Sequence, residues 1–377
     1  MTTAIPLLDL YPLYAEQKDE IDAAIASVLD RQDFIQGQSV RDFESAILEY
    51  LGIPSGLAVG VANGSDAIVL ALRALELGAG DEVIVPDFTF LSTATSVSLV
   101  GATPVFVDVC GASFNVTAQT VLSGLSARTR AVIVVHLFGG PADVPSIRNA
   151  LDGCGRQDVT IIEDCAQSLG AKWGSRCVGT MGQLATLSFF PSKNLGAFGD
   201  GGMVVSHDSQ AAARVRLLGQ HGSRTKYFAE LLGQNSRLDT IQAAVLLVRL
   251  RRLDAWCAQR RHNAFGYLEL LSEIPADCGV VLPGEEAGTH HIFNQFTLQV
   301  PDRQRWMDGF QREDIGVAVY YPRPLSQQPC FADRPHRAVD APISARLCEQ
   351  VLSIPVYPGL SARNLERVAR VVAGLAG

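Results

Sequence analysis

The chain of 377 residues has no excess of basic side chains and no long apolar segment. It carries 31 lysines and arginines against 39 aspartates and glutamates, which gives a net charge of −8. A nucleic-acid-binding protein normally shows a basic face, so this balance argues against that class. No apolar run reaches the roughly 18 residues that a membrane span needs. The first ten residues lack the basic region and apolar core of a signal peptide, and we therefore expect a cytoplasmic protein.

No two of the eight cysteines have the Cys-x-x-Cys spacing of a zinc site, so no metal is predicted. We expect free, mostly buried thiols. Hydrophobic residues make up 47% of the chain and charged residues 19%, as in a globular protein with a large core. At about 150 residues per domain, the length is sufficient for two domains.

Short apolar runs alternate with amphipathic helical patterns along the first two thirds of the chain. This alternation predicts parallel βαβ units, with helices covering the faces of the sheet. The predicted strands are 57–61, 81–86, 104–108, 131–137, 159–162, 185–190 and 202–206, and the predicted helices are 13–29, 41–50, 67–77, 92–99, 144–151 and 211–218.

The last third of the chain has a different pattern. A polar, glycine-rich segment at 219–239 predicts an exposed loop, and a long helix is predicted at 239–258. Further predicted elements are helices at 256–271, 303–313 and 360–375 and strands at 293–300 and 317–321. We therefore predict a large α/β domain at 1–255, with a mostly parallel sheet of about seven strands flanked by helices, and a smaller α+β domain at 256–377.

A single lysine follows one of the predicted strands in a glycine-rich turn. The apolar run 185–190 is stopped by Pro191, Lys193 comes next, and four glycines lie within residues 196–202. Ligands of α/β sheets bind at the carboxyl ends of strands, and glycine lets the backbone approach a bound group closely. A lysine with a lowered pKa can form a Schiff base with a carbonyl at such a place. The alternative is a solvated loop lysine.

A carboxylate follows the preceding predicted strand in the same way. Asp164 lies at the C-terminal end of the strand predicted at 159–162. A pyridoxal phosphate site needs a Schiff-base lysine and a carboxylate against the pyridinium nitrogen, because the protonated ring then takes up the electrons of a carbanion. Asp164 and Lys193 supply these two groups. The alternative for Asp164 is the capping of a following helix.

Three other strand ends carry candidate site residues. Gly64 and Ser65 open a helix, whose unpaired first amides form an anion site; the alternative is an ordinary turn capped by serine or aspartate. An aromatic ring at Phe90 can stack on a pyridine ring, unless it belongs to the core. His136 is either an acid–base group or a structural histidine, and we expect the latter.

Several segments together resemble the DegT/DnrJ/EryC1/StrS aminotransferases, which are sugar aminotransferases with the aspartate aminotransferase fold. The lysine segment reads Ser-Phe-Phe-Pro-Ser-Lys at 188–193 and Gly-Asp-Gly-Gly at 199–202, and the carboxylate segment reads Ile-Glu-Asp-Cys-Ala-Gln-Ser-Leu-Gly-Ala at 162–171. The other matching segments, in family order, are 61–67, 85–90, 136–143, 235–239 and 321–325. The resemblance extends over nearly the whole chain.

This resemblance implies a pyridoxal 5′-phosphate enzyme of fold type I. Lys193 would be the Schiff-base lysine and general base, Asp164 would hold the ring nitrogen, Gln167 the ring hydroxyl and Ser188 the phosphate. A loop of the partner subunit in a homodimer would also reach the phosphate. The implied cofactor-binding residues are Gly64, Ser65, Phe90, Asp164, Gln167, Ser188, Lys193, Asn235 and Arg237, the last two from the partner, and the implied substrate contacts are Tyr320, Tyr321 and Arg237.

The implied reaction moves an amino group from L-glutamate to a keto group of a nucleotide-linked sugar, with C3 favoured over C4. The alternatives are a cyclitol aminotransferase of the scyllo-inosose type, another fold-type-I enzyme acting on amino acids alone, a pyridoxal-phosphate-dependent sugar dehydratase and a non-catalytic regulator. The dehydratase branch has histidine in place of the lysine, so Lys193 favours aminotransfer. Ser326, Tyr320 and Asn294 depart from common family residues in the segments that vary with the sugar.

Overall fold

The computed structural model describes residues 4–377. The helices are α1 (Tyr11–Arg31), α2 (Gln38–Tyr50), α3 (Gly64–Ala74), α4 (Ser92–Leu99), α5 (Ala118–Gly124), α6 (Val144–Gly153), α7 (Ser209–Gly219), α8 (Thr240–Leu250), α9 (Leu253–Leu270), α10 (Arg303–Arg312), α11 (Pro342–Gln350) and α12 (Ala362–Ala376). The strands are β1 (Leu57–Val61), β2 (Glu82–Pro86), β3 (Thr103–Val107), β4 (Thr129–Val135), β5 (Thr160–Asp164), β6 (Lys172–Trp173), β7 (Arg176–Cys177), β8 (Leu184–Ser188), β9 (Gly202–Ser206), β10 (Ser223–Thr225), β11 (Phe228–Ala229), β12 (Thr289–His290), β13 (Phe296–Gln299), β14 (Arg337–Ala338) and β15 (Val351–Ile354).

One large sheet has the strand order β1-β9-β8-β5-β4-β2-β3-β14. All neighbouring pairs from β8 to β14 are parallel, whereas β9 is antiparallel to both β8 and β1. The central strands are almost entirely buried, as the apolar runs require when helices cover both faces. The predicted fold class, a mostly parallel sheet of about seven strands with flanking helices, is confirmed; β14 adds a two-residue edge strand.

A second hydrophobic core lies in the C-terminal part of the chain. It joins α9, α10 and α12 to the antiparallel pair β13–β15. Ile5 also packs in this core, and its backbone bridges to Ile315. Helix α9 contributes to both cores, with Cys257 in the core of the large sheet and Tyr267 in the C-terminal one. The division after residue 255 stays a prediction.

The single helix predicted at 239–258 is wrong, because the chain forms two helices there. Helix α8 ends at Leu250 and α9 begins at Leu253. The break contains neither glycine nor proline, so no local signal announces it. Packing explains it: the redirected chain buries Leu253 and Cys257 with Leu246 in one core.

The strand predicted at 317–321 is also wrong. Only Ala318 pairs there, with Ser353, through two backbone hydrogen bonds of 3.1 and 2.8 Å. Pro322 and Pro324 follow and have no N–H to continue a ladder. The segment 219–239, predicted as a loop, contains the short hairpin β10–β11.

Candidate active site

A cleft of about 490 Å³ lies at the carboxyl ends of β2, β5 and β8. Parallel strands place ligands at this edge, where the following loops diverge. Most of the predicted site residues line the cleft together, and Asn235 and Arg237 do not. Those that line it are Gly64, Ser65, Phe90, Asp164, Gln167, Ser188, Lys193, Tyr320 and Tyr321.

Asp164 is the last residue of β5 and is buried at the base of the cleft. Its Oδ2 accepts a hydrogen bond from Thr93 Oγ1 at 3.1 Å, and its Oδ1 accepts one from the N–H of Ala166 at 3.2 Å. Burial raises the pKa of Asp164, and the hydrogen bond from Ala166 and the charge of Lys193 act against that rise. A cationic partner in the cleft would therefore stabilise the carboxylate.

Lys193 lies in the turn after β8, where its N–H donates to the carbonyl of Phe190 at 2.8 Å. Burial lowers the pKa of Lys193 below its ordinary value, and Asp164 acts in the opposite direction. Lys193 also lines the cleft and is partly buried, which favours a site residue over a solvated loop lysine. A lysine that loses its proton readily is suited to nucleophilic attack on a carbonyl and to base catalysis.

The start of α3 lies at one wall of the cleft and offers backbone N–H groups that have no partner within the helix. Asn63 caps the helix, because its Oδ1 accepts the N–H of Asp66 at 2.8 Å. The first backbone hydrogen bond of the helix runs from Ala67 to Asn63, so the N–H groups of Gly64 and Ser65 precede it. Because Asn63 caps the helix, the hydroxyl of Ser65 is not needed as a cap. It can therefore bind an anion at the positive end of the helix dipole.

Ser188 faces this helix start across a very short gap. A Cβ atom placed on Gly64 would lie 2.6 Å from Ser188 Cβ and 3.0 Å from its Oγ. Position 64 therefore requires glycine. On the other side, Ser65 Oγ lies 2.6 Å from Ser92 Oγ, at the start of α4. Sequence reasoning missed Ser92, although its position at the start of a predicted helix after a strand was the available signal.

Gln167 is held in one orientation by two hydrogen bonds. Its Oε1 accepts the N–H of Phe138 at 2.8 Å, so its Nε2 faces the cleft and donates to the hydroxyl of Tyr321 at 3.1 Å. Burial raises the pKa of Tyr321, which keeps the hydroxyl protonated. The amide therefore presents a donor to the cleft, as the predicted contact with a ring hydroxyl or phenolate requires.

Phe90 stands at the rim of the cleft, with its ring centroid 6.1 Å from that of Tyr321. Its side chain is 54% exposed, so the core alternative is wrong. An exposed ring beside the cleft is placed to cover a planar group. Thr89, next to it, lines the same cleft, and among residues 4–377 its buried Oγ1 has no hydrogen-bond partner.

His136 is a structural residue, as predicted. Its Nδ1 accepts the N–H of Ala142 at 2.9 Å, so its Nε2 carries the proton and donates to Glu163 at 2.9 Å. Glu163 also accepts backbone N–H groups from residues 179, 181 and 182. Cys165 lies nearby in a geometry that a metal could use. The histidine and carboxylate are already engaged, and burial raises the pKa of the Cys165 thiol, so this cluster is a structural network.

Asn235 and Arg237 lie outside the cleft that holds Lys193. Arg237 lines a separate cleft of about 140 Å³ with Glu44 and Arg216. Asn235 is exposed. The next residue, Ser236, holds the segment in place, because its Oγ accepts the N–H of Ala62 at 3.1 Å. An exposed asparagine is available to another molecule, and the role in a partner subunit stays a prediction.

The three residues that depart from the family pattern have separate positions. Tyr320 lines the cleft. Asn294 is buried, and its carbonyl accepts a hydrogen bond from Arg260 at 3.1 Å, while its neighbour Gln295 lines the cleft. Ser326 binds the carboxylate of Asp87. Sequence reasoning missed Gln295 and Asp87, and neither carries a local signal of its role.

The residues around the cleft fit pyridoxal 5′-phosphate. The Asp164 carboxylate suits the ring nitrogen, Lys193 the aldehyde, and the start of α3 the phosphate, while the Thr89 hydroxyl still has hydrogen-bonding capacity. This chemistry on this sheet is that of the pyridoxal-phosphate-dependent aminotransferases. The chain matches the model of the DegT/DnrJ/EryC1/StrS aminotransferase family over residues 15–373 and belongs to that family. The predicted family, cofactor and enzyme class are thereby confirmed.

Similar proteins cover the chain from end to end. It is 44% identical to the UDP-N-acetyl-3-dehydro-alpha-D-glucosamine 3-aminotransferase of Acidithiobacillus ferrooxidans, over 98% of this chain and 97% of that one. It is 41% identical to the pleiotropic regulatory protein of Geobacillus stearothermophilus, over 98% of both chains. The crystal structure of S. venezuelae DesV in complex with a ketimine intermediate superposes with a TM-score of 0.94, at 39% identity, over 100% of this chain and 99% of DesV.

No helix within residues 4–377 is both long enough and apolar enough to cross a membrane.

Proposed function

We propose that this aminotransferase transfers the amino group of L-glutamate to the C3 keto group of a nucleotide-linked sugar, in the cytoplasm. The observation that carries the proposal is the placement of Lys193 and Asp164 in one cleft, with opposite perturbations of their pKa values. The choice of C3 is supported by the relative from Acidithiobacillus ferrooxidans, which is named as a 3-aminotransferase.

Each residue has a defined task in this reaction. When bound, the cofactor supplies an electron sink and a carrier for the amino group. Lys193 would hold the cofactor aldehyde through its neutral Nζ and, once the amino donor has displaced it, would move the proton of the substrate carbon as general base. Asp164 would keep the ring nitrogen protonated, and Gln167 would donate a hydrogen bond to the ring oxygen. The two half-reactions use one cleft in turn, so we expect ping-pong kinetics.

The enzyme acts as a homodimer in this proposal, with Asn235 and Arg237 completing the partner's phosphate site. The hairpin β10–β11 and the residues that follow it before Asn235 support this, because they expose large apolar side chains. Tyr227 is 92% exposed, Phe228 69% and Leu232 89%. Such a concentration of apolar surface is typical of a protein interface.

A regulatory role without catalysis is the second candidate, since one relative at 41% identity bears the name of a regulatory protein. The two candidates differ in their use of Lys193. A protein that only senses a ligand does not require the turnover of an amino donor, whereas an aminotransferase does.

The first experiment records the visible absorbance of the purified protein, as wild type and as Lys193→Ala, before and after addition of L-glutamate. We expect a visible band that requires Lys193 and that glutamate bleaches. We also expect the rate of the donor half-reaction to fall by about 10²–10⁴-fold or more in the variant. A wild type without a lysine-dependent band, or one that glutamate leaves unchanged, would contradict the role of Lys193 or the identity of the donor.

A further inference from the structure

A buried carboxylate connects two segments that both line the cleft. Asp87 follows β2 directly and is buried. Its Oδ1 accepts the N–H of Ser326 at 2.6 Å, and its Oδ2 accepts the hydroxyl of the same serine at 2.8 Å. Its backbone carbonyl accepts the N–H of Leu325 at 2.9 Å. One aspartate thus binds two consecutive residues of a distant segment with three hydrogen bonds.

Both connected segments carry aromatic residues at the cleft: Phe90 and Tyr321 line it, and the buried Phe88 packs against Tyr321. Phe88 and Phe90 come just after Asp87, and Tyr321 comes five residues before Ser326. The ring centroid of Tyr321 lies 6.2 Å from that of Phe88 and 6.1 Å from that of Phe90. The position of Tyr321 therefore depends on how its segment is held against the end of β2.

The buried surroundings of Asp87 make its carboxylate depend on the hydrogen bonds from Ser326. Burial raises the pKa of Asp87, and the neighbouring Asp108 carboxylate adds to the rise, while the two hydrogen bonds from Ser326 oppose it. A buried carboxylate that loses such donors is left unpaired at high cost. Ser326 therefore stabilises the Asp87 carboxylate and, through it, connects the segment of Tyr321 to the end of β2.

We propose that Asp87, acting through Ser326, is a positioning residue that holds Tyr321 in contact with Gln167 and Phe90 and so shapes the acceptor side of the cleft. The proposal rests on the proposed function for the identity of the acceptor. The position of Tyr321 is independent of the proposed function and can be measured without substrate.

The chain offers a matched control one strand away. Asp108, after β3, accepts the N–H and the hydroxyl of Ser344 on its Oδ1, each at 2.7 Å, and the N–H of Ile343 on its Oδ2 at 3.0 Å. This second aspartate–serine pair fixes the start of α11, and neither member lines the cleft. The two pairs have the same chemistry, and only the first one connects to Tyr321.

The first test replaces Tyr321 by 3-fluorotyrosine and follows its ¹⁹F resonance in the protein without added substrate. We expect Ser326→Ala to shift or split this resonance, Ser344→Ala to leave it unchanged, and Ser326→Thr, which keeps the hydroxyl donor, to restore it. Equal effects of the two alanine substitutions, or no effect of Ser326→Ala, would overturn the proposal.

The second test separates the two half-reactions, with UDP-N-acetyl-3-dehydro-α-D-glucosamine as the acceptor probe. We expect Ser326→Ala to raise the KM for this acceptor by about fivefold or more, which corresponds to about 1 kcal/mol, and to change the rate of the glutamate half-reaction by less than about twofold. Ser344→Ala should change neither. A wild type that does not use this probe contradicts the proposed acceptor, and the ¹⁹F measurement then decides on Tyr321 alone.

Discussion

Replacement of Gly64 by alanine tests whether the start of α3 binds the cofactor phosphate. The added Cβ would lie 2.6 Å from Ser188 Cβ and 3.3 Å from its Cα. Carbon atoms in contact prefer about 3.5–4.0 Å, so the helix start and Ser188 must separate by about 1 Å. Gly202, the cross-strand partner of Ser188, is packed just as closely on the helix start, because a Cβ on it would lie 2.3 Å from the carbonyl oxygen of Asn63.

Overpacking of this kind costs about 1–3 kcal/mol. Without cofactor the helix start can shift to relieve the strain, but phosphate binding requires the original spacing of Gly64 and Ser188. Most of the cost should therefore appear in cofactor affinity. At about 1.4 kcal/mol per factor of ten, the Kd for pyridoxal phosphate should rise about 5- to 150-fold.

The assay is equilibrium dialysis of the apoprotein against pyridoxal phosphate, together with the thermal unfolding midpoint. The control is Gly153→Ala at the end of α6, because a Cβ there meets no atom within 4 Å and the backbone conformation suits alanine. The control should bind like wild type. A Gly64→Ala protein that also keeps the wild-type Kd would refute the assignment of the phosphate to this helix start.

Two further predictions concern the buried network around Glu163 and the proposed dimer. Burial disfavours the charge of Glu163, but hydrogen bonds from His136 and from backbone N–H groups hold its pKa below the ordinary value. The stability that they provide is present above the ordinary glutamate pKa and is lost as pH falls through the lower folded-state value. Glu163→Gln turns an amide N–H toward backbone donors, so it should cost about 1–3 kcal/mol in urea unfolding at pH 7 and flatten this acid-side loss; an unchanged acid slope would contradict the network. Lys193→Ala and Asn235→Ala chains, each inactive alone, should recover about a quarter of wild-type activity when they are refolded together. Random assortment makes half of the dimers mixed, and each mixed dimer has one intact site out of two. No recovery of activity would contradict a shared site.

The elements that were predicted correctly from sequence are those whose structure depends on residues near in the chain. The strand at 202–206 and the helix at 92–99 were placed to the residue, and the strand is a continuous buried segment. The end of α8 was not predictable, because no residue at 251–252 breaks a helix and the cores of the tertiary structure redirect the chain.

The same distinction applies to the site. Lys193 and Asp164 carry chemistry at strand ends and could be found from sequence, with the family resemblance adding Gln167 and Ser188. Asp87 could not be found, because its partner is 239 positions away in the chain and both residues are of common types. The orientation of Gln167 likewise depends on a remote contact, with the backbone of Phe138.

Helix α9 has a mechanical consequence for the whole molecule. Its 18 residues span about 27 Å as one rigid rod. Cys257 anchors one half in the core of the large sheet, and Tyr267 anchors the other half in the C-terminal core, where its hydroxyl donates to the carbonyl of Pro355 at 2.8 Å. The two cores therefore cannot slide past one another while the helix is intact. A tilt of the C-terminal core about this rod would leave Tyr320 and Tyr321 in place, because both pack on the core of the large sheet and Ser326 binds Asp87 after β2.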